Sequence, residues 1–595
     1  REIAQQVFEK RDMRRAMLFL QKYGITMALA LKIYQYYGAQ IYQVMQQNPY
    51  RLADDIQGVG FRIADEIARE AGVEKDSPYR IQCGIVYILQ QAMADGHVYL
   101  PSELLLSRAS ELLETEVTDL DSHLADLAIS HRIVIREEED GRKIYSAMAY
   151  RLELDTARML TDLNISGDVD ETVILQKISE TERHMGTTLD EKQKQAVIEA
   201  VRCGLLVITG GPGTGKTTTI NMLISYFESE GLMLQLAAPT GRAAKRMTEA
   251  TGKDASTIHR LLEVKPPDGY QRNENNPLEG DVMIVDECSM IDLLLMHNLL
   301  KAIPDTMTLI LVGDIDQLPS VGAGNVLRDM IDSRCFPVVR LTRIFRQAQT
   351  SRIITNAHRI NRGQMPDLSN GRESDFFFLE QENPEEAAKE IVNLVRNRLP
   401  SHYRVPGSKI QVLSPMQRGA VGAADLNLLL QEAVNPGEIC LRRGGFRFKT
   451  RDKVMQIRNN YEKEVFNGDI GIIESIQPED GELTVNFEGK RVSYDTAELD
   501  ELVLAYAVTI HKSQGSEYPI VVMPILMSHY VMLQRNLVYT GVTRAKKVLV
   551  IVGTKKALAL AVRNSTVRKR NTLLAERIRR SFEMGGSQWM QDMQF

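Results

Sequence analysis

From residue 186 onward, short apolar runs alternate with helical patterns. LLVIT (205–209), LMLQLAAP (232–239), DVMIVDE (281–287) and TLILVGD (308–314) form a first set. Apolar strands separated by helices predict a parallel sheet covered on both faces. PVVRL (337–341), KIQVLSP (409–415), PIVVMPIL (519–526) and KKVLVIVG (546–553) form a second set. Within that set, residues 442–502 abandon the alternation for short strands spaced by turns: FRFKTRDKVMQIRN, a turn at Gly468, DIGIIESI, GELTVNFEG and KRVSYD. This pattern predicts a small antiparallel barrel inserted in the second sheet domain. Leu262–Asp281 interrupts the first set with Pro-Pro-Asp-Gly and Asn-rich turn chemistry, which suits either a short projecting hairpin or a surface loop.

The first 185 residues are patterned differently. Residues 1–75 are helical in period and carry Ile56-Gln57-Gly58-Val59-Gly60-Phe61 before the helix RIADEIARE. Gly-hydrophobic-Gly between helices resembles a helix-hairpin-helix element. Such a hairpin's backbone N–H groups, with Gly58 and Gly60 at the turn, bind a DNA phosphate without reading sequence. A plain helical connection capped by glycine fits the same residues. A weaker copy stands at Tyr23-Gly24-Ile25. Residues 76–150 combine three helical stretches with two strands about the turn EEEDGR. That is a winged-helix pattern, which serves either DNA contact or protein docking. Residues 151–185 read as a helical connector, and 564–595 as a basic, then polar, tail.

Composition narrows the class. Hydrophobic content of 44% and charged content of 25% are ordinary for a globular protein, and 595 residues exceed a single core. No apolar run approaches the roughly 18 residues of a membrane span, and no secretory leader opens the chain. Five cysteines are scattered without metal-ligand spacing, which fits reduced thiols in a cytoplasmic protein. The net charge of −6 argues weakly against nucleic acid, but binding faces are patches and the sum does not decide. The chain begins at Arg1, which suggests that an upstream piece is missing.

The candidate chemistry centres on GGPGTGKTTT (210–219), a glycine-rich turn between an apolar strand and a helix. In that context the loop binds a nucleoside triphosphate. Backbone N–H groups of Gly211, Gly213, Thr214 and Gly215 turn toward phosphate, and the helix start adds partial positive charge. Lys216 reaches the β- and γ-phosphates, the Thr217 hydroxyl suits Mg²⁺, and Thr218 completes the set. Asp286-Glu287 ends another strand of the same sheet. Asp286 fits a Mg²⁺-linked acid and Glu287 the base that orients water. Gln317, in LVGDIDQLP, is placed to sense the γ-phosphate. Arg346 and Arg544 come from the second sheet domain and would enter the cleft from its far side as arginine fingers. Either arginine alone also suits a solvated surface charge.

The ordered set LDEKQ (189–193), GGPGTGKTT, APTGRAAKRM (238–247), STIHRLL (256–262), VDECSM (285–290), GDIDQLP (313–319), LTRIFRQ (341–347), TIHKSQGSE (509–517) and YTGVTRA (539–545) resembles the superfamily 1 helicases. It is most similar to their stand-alone RecD-like branch. The resemblance implies an α/β protein with two RecA-like parallel-sheet motor domains and an inserted Src-homology-3-like small β-barrel. An N-terminal helix-hairpin-helix and winged-helix-like region would precede them. The implied boundaries are 1–75, 76–150 and 151–185 for the N-terminal pieces, and 186–341 for the first motor domain, with a strand-splitting pin at 262–281. The second motor domain would take 342–441 and 503–563, the barrel 442–502 and the tail 564–595. Gln193 would read adenine and Glu517 approach the ribose. Pro239, Thr240, Arg242, His511 and Ser513 would contact the single-strand backbone, without sequence information. Tyr270 would be a wedge near the pin tip. Leu318–Gly322 lacks the stacking aromatics of UvrD-type relatives, so grip would rest on phosphate contacts.

The implied function is an ATP-dependent DNA helicase with ATP as substrate and Mg²⁺ as cofactor. It would move 5′ to 3′ on single-stranded DNA and open single-strand/duplex junctions in repair or recombination. The implied state is a monomeric motor, with single-strand-binding or repair proteins as further partners and no membrane. A translocase that strips proteins or acts on RNA is an alternative. An ATP-gated DNA-binding subunit is another, disfavoured by the intact hydrolytic set. No nuclease motif is evident.

Overall fold

The computed structural model describes residues 2–583 except 57, 116–118, 266–268, 438–439, 444, 461 and 566–568, and leaves out the side chains of 2–10, 346, 347, 443 and 446. No described helix is long and apolar enough to cross a membrane. The chain divides into two compact units.

The first unit comprises Arg1–Asp155, Val321–Gly324 and Arg570–Leu573. Helices Glu2–Gln21 and Met27–Tyr37 flank Gly24, and Arg51–Asp55 and Phe61–Glu70 flank Gly58 and Gly60. Gly24 and Gly58 have φ of +72° and +99°, a region open to glycine at no steric cost. Phe61, Ala64, Ile67 and Ala68 turn one face of their helix inward. On that helix the buried Asp65 accepts from Arg80 Nε and Tyr50 Oη, each at 2.7 Å. Helices Pro78–Ala94, Ser102–Leu113 and Leu120–Ile129 accompany the hairpin of Ile133–Glu138 and Gly141–Ser146. A third strand, Tyr99–Pro101, pairs with Gly141–Ser146 and is not visible in the sequence pattern. The late segment is stitched in by backbone bonds. Asn571 O accepts from Val98 N at 2.7 Å, and the buried Glu153 accepts from Leu573 N at 2.8 Å.

The second unit holds both predicted sheets. The first has six parallel strands in the order Val338–Leu341, Leu205–Gly210, Thr308–Gly313, Val282–Val285, Leu234–Ala238, Ala255–Thr257. PVVRL is therefore an edge strand of the first sheet, a correction to its grouping with the second set. An apolar run announces a strand but not its partner. Ile174 and Ile178, in the stretch read as a connector, pack into the core beneath this sheet with Leu223 and Phe227 of the phosphate-loop helix. The second sheet is also parallel: Phe376–Glu380, Ala545–Gly553, Tyr518–Ile525, Ile410–Ser414, Ala507–Thr509.

Between Ile410–Ser414 and Ala507–Thr509 lies the inserted antiparallel sheet, ordered Lys490–Tyr494, Glu482–Phe487, Ile470–Gln477, Lys453–Gln456, Leu502–Leu504. Its Val454, Ile473, Val485 and Tyr494 join one apolar core with Val412 and Val522 of the second sheet. At Leu262–Asp281, Val264–Lys265 pairs with Gly269–Tyr270 as a short hairpin whose turn, 266–268, lies outside the described residues. The supposed tail contains a packed helix, Leu574–Glu583, with Leu574, Ala575 and Ile578 buried. Arg579 Nη2 of that helix donates to Asp332 O at 2.7 Å. Basic composition concealed the apolar stripe.

Candidate functional site

Leu205–Gly210 is buried along its length and delivers the chain to the loop before the helix Lys216–Ser229. Gly213 and Gly215 have φ of +73° and +83°. A Cβ at Gly215 would lie 2.5 Å from Gln193 Nε2 and 2.8 Å from Phe345 Cε2, and one at Gly213 would lie 2.7 Å from Ala348 Cβ. Glycine is thus required twice over, by dihedral and by space. Thr214 Oγ1 donates to Gly211 O at 2.8 Å, and Lys216 Nζ donates to Gly210 O at 2.6 Å. The lysine's donors are held over the loop, where phosphate oxygens would replace the carbonyls. Thr217 and Thr218 line the same cavity, of about 780 Å³. Residues of both sheet domains form its wall: Gly186–Thr188 and Lys216 on one side, Phe345, Glu517 and Lys546 on the other.

Gln193 is buried inside this site. Its Oε1 accepts from Asp190 N at 3.0 Å in a capping box, and its Nε2 donates to Gly215 O at 3.2 Å. The residue couples the start of its helix to the phosphate loop.

Asp286 and Glu287 follow the buried strand Val282–Val285. Glu287 has φ of +54°, a left-handed conformation uncommon for a residue with a side chain. Burial raises the Asp286 pKa, and the adjacent Glu287 charge adds to the rise. Burial also acts on Glu287, but the charges of Arg544, Arg246 and Lys216 outweigh it and hold the group below its usual range. The pair thereby divides into a harder and an easier carboxyl to ionise. Among the described residues no cluster of three or more His, Cys, Asp or Glu forms a metal cage. Thr217 and Asp286 offer a hydroxyl and a carboxylate, oxygen donors that suit Mg²⁺ only when triphosphate and water complete its shell.

Gln317 and Arg544 meet directly. Arg544 is 2% exposed. Its Nη2 donates to Gln317 Oε1 at 2.9 Å, Nη1 to Ser516 O at 3.2 Å and Nε to Thr540 O at 3.2 Å. Gln317 Nε2 donates to Asp314 at 3.2 Å, and Tyr539 Oη donates to the same carboxylate at 2.8 Å. A residue after a first-sheet strand and one before the last second-sheet strand are therefore wired together. Arg346 opens the short helix Arg346–Gln349, but its side chain lies outside the described residues.

Sequence reasoning missed Arg246. Its guanidinium reaches Glu287 at 3.2 Å and Glu517 at 2.6 Å, linking the acid of one sheet to an acid of the other. Lys546 pairs with the second oxygen of Glu517 at 3.2 Å. Arg242 and Arg246 are four residues apart and share a helix face, a spacing that could have flagged the second arginine. Tyr539, Phe345 and His358 were missed too. The His358 ring Nε2 is 2.9 Å from Pro212 O.

The proposed strand contacts divide. Thr240 caps the helix Gly241–Thr251, with Oγ1 accepting from Ala243 N, just after Pro239. Arg242 Nη1 donates to Ser516 Oγ at 2.9 Å and Tyr518 Oη at 3.0 Å. His511 is exposed. Ser513 is buried, its hydroxyl donating to Ile510 O at 2.7 Å, so its side chain shapes the turn. Gly58 and Gly60 belong to the other unit. Among the described residues, chain neighbours aside, no atom lies within 4 Å of a Cβ built on either, so both face open space. Tyr270 stacks near His259, ring centroids 6.3 Å apart.

Comparison with known proteins finds similar sequences along most of the chain. Residues 9–99 match the ATP-dependent RecD2 DNA helicase HHH domain, and 426–487 the ATP-dependent RecD-like DNA helicase SH3 domain. Residues 193–323 match an AAA domain, and 504–552 the UvrD-like helicase C-terminal domain. The ATP-dependent RecD2 DNA helicase of Deinococcus radiodurans is 35% identical over 581 residues, covering 95% of this chain and 78% of the relative. The RecBCD enzyme subunit RecD of Mycolicibacterium smegmatis is 31% identical over 426 residues, 65% of this chain and 75% of that one. A solved Pif1 helicase from Bacteroides, in complex with ADP-AlF3 and ssDNA, covers 67% of the chain at 18% identity with a TM-score of 0.41.

Proposed function

Because the chain belongs to the RecD2 DNA helicase family, we propose that its seam between two parallel sheets hydrolyses ATP to drive movement along single-stranded DNA. The protein is an ATP-dependent DNA helicase. The observation that carries the site assignment is the Arg544–Gln317 bond at 2.9 Å, a junction of the two sheet domains within reach of the acidic pair. In this reading Lys216 and the loop N–H groups bind the triphosphate, and Phe345 and Gln193 bound the base. Glu287 accepts the proton of an oriented water. Gln317 relays γ-phosphate state, and Arg544 stabilises charge that develops in the transition state. Arg346 is proposed as a second finger on sequence grounds. Mg²⁺, bound at Thr217 and Asp286, would neutralise phosphate charge.

Thr240, Arg242, His511 and Pro239 are proposed to track the strand backbone. The exposed glycine turn at Gly58–Gly60 offers a second, sequence-blind phosphate contact, and the 264–270 hairpin is proposed as the strand-separating pin. Polarity of 5′ to 3′, a monomeric motor and service in repair or recombination are proposed on the resemblance, and cytoplasmic location on the scattered cysteines. Unwinding of duplexes with a 5′ or a 3′ single-stranded tail, with ATP and Mg²⁺, tests activity and direction together. Opening of the 5′-tailed substrate alone is expected. Opening of neither, under conditions where ATP is hydrolysed, would refute the helicase assignment.

A further inference from the structure

A second cavity, of about 580 Å³, adjoins the nucleotide cleft and shares Arg246, Glu517 and Lys546 with it. Its wall is unbalanced in charge. Glu517 is matched by Arg246 and Lys546, Glu488 by Lys245, and Glu474 by Arg491. Glu249 is the fourth acid. Three cations remain: Arg242, Lys409 and Lys453. Among the described residues none of them has a carboxylate within ion-pair distance. Arg242 Nη1 donates to two hydroxyls and its charge acts on Asp469 beyond ion-pair distance, while Lys409 is exposed.

Lys453 is the decisive member. It stands on the first barrel strand, Lys453–Gln456, and is only 6% exposed. Its ammonium has three donors, yet among the described residues it meets only Ile410 O at 3.3 Å and the face of the Tyr518 ring at 5.9 Å. A buried cation without a counter-charge is costly. Burial lowers its pKa to about 7, with Arg242 and Lys409 adding to the fall. A core position would be served as well by methionine, whose shape is similar and whose burial is favourable. An anion shared by the three cations would convert this cost into attraction.

We propose that Lys453, Lys409 and Arg242 form a binding site for a phosphate-type oxyanion beside the nucleotide cleft, with donors from the barrel, the second sheet domain and the first. Two sources share this chemistry: a phosphodiester of the DNA backbone, and the orthophosphate that hydrolysis releases next door. The DNA arm of the test rests on the helicase reading, and the other arm on the nucleotide site alone.

In that arm, binding of an oligo-dT strand is measured against salt for wild type, Lys453→Met and Lys409→Gln. A backbone phosphate predicts a slope of log K against log salt reduced by about 0.7 for each phosphate no longer neutralised, with the double variant no lower than either single. In the other arm, protein saturated with ADP to fill the phosphate loop is titrated calorimetrically with inorganic phosphate. An orthophosphate site predicts at least tenfold weaker binding in either variant and an unchanged DNA slope. Folded variants that match wild type in both arms would overturn the site. Should Lys453→Met fail to fold, Lys409→Gln, on the exposed rim, decides the matter alone.

Discussion

Replacing Arg544 by alanine separates a catalytic from a merely structural role for the seam. The guanidinium bonds Gln317 Oε1, Ser516 O and Thr540 O while 2% exposed. Its loss strands at least two buried acceptors, at about 1–3 kcal/mol each. Stability should therefore fall by a few kcal/mol, read by urea denaturation. If the charge also serves the transition state, the DNA-stimulated kcat should fall further, by about 10³–10⁵, or about 4–7 kcal/mol of barrier. The two effects are separable because kcat is measured per folded molecule, at a temperature where the variant remains native. Arg544→Lys keeps a charge but loses the planar fork, so it should recover part of the rate. ATP hydrolysis with and without oligo-dT is the assay. A folded Arg544→Ala protein with wild-type stimulated turnover would refute the proposed finger, whatever its stability.

Lys216→Ala should abolish ATP turnover while retaining single-strand affinity, measured by hydrolysis and by fluorescence anisotropy of a labelled oligonucleotide. Deleting 264–279 should spare DNA-stimulated hydrolysis but reduce duplex unwinding; unchanged unwinding would return the hairpin to an ordinary loop. The native Lys453 pKa of about 7 lies below the unfolded value. Between about pH 7 and 10 the unfolded chain therefore holds a proton that the native protein does not. That residue's contribution to stability should rise with pH through this window. Lys453→Met should accordingly gain more over wild type at pH 7 than at pH 10, read by denaturation in phosphate-free buffer.

The legible part of this molecule is whatever one continuous segment encodes. The phosphate loop needs a strand, glycines, a lysine and a helix in immediate succession, so residues 205–229 announce it. The parallel sheets are likewise readable as apolar runs. What fails is partnership. Val338–Leu341 has the pattern of any buried strand, and nothing in it says that it pairs with Leu205–Gly210. Ala255–Thr257 is too short to show a period, and Phe376–Glu380 escapes notice although FFFLE is rich in strand formers. In the last helix Arg577, Arg579 and Arg580 obscure Leu574 and Ile578. The link from Arg246 to Glu287 and Glu517 is invisible for the same reason that strand partners are, since its members stand in three separate segments.

That link bears on how chemistry and movement are joined. Glu287 is a carboxylate in a desolvated position, a placement that ordinarily favours the protonated form. It is held ionised by Lys216 and Arg246 of its own lobe and by Arg544 of the other. Arg246 in turn is steadied by Glu517, again from the other lobe. Separation of the lobes would remove the Arg544 charge and free Arg246 from one of its two acids, while water entered the pocket. Closure does the reverse. The Arg544 charge gained on closure favours ionised Glu287 while the water lost opposes it, and by linkage whichever protonation state closure favours must favour closure to the same extent. A strand that drew the lobes together would act on Glu287 through Arg544 and through Arg246, without touching the nucleotide.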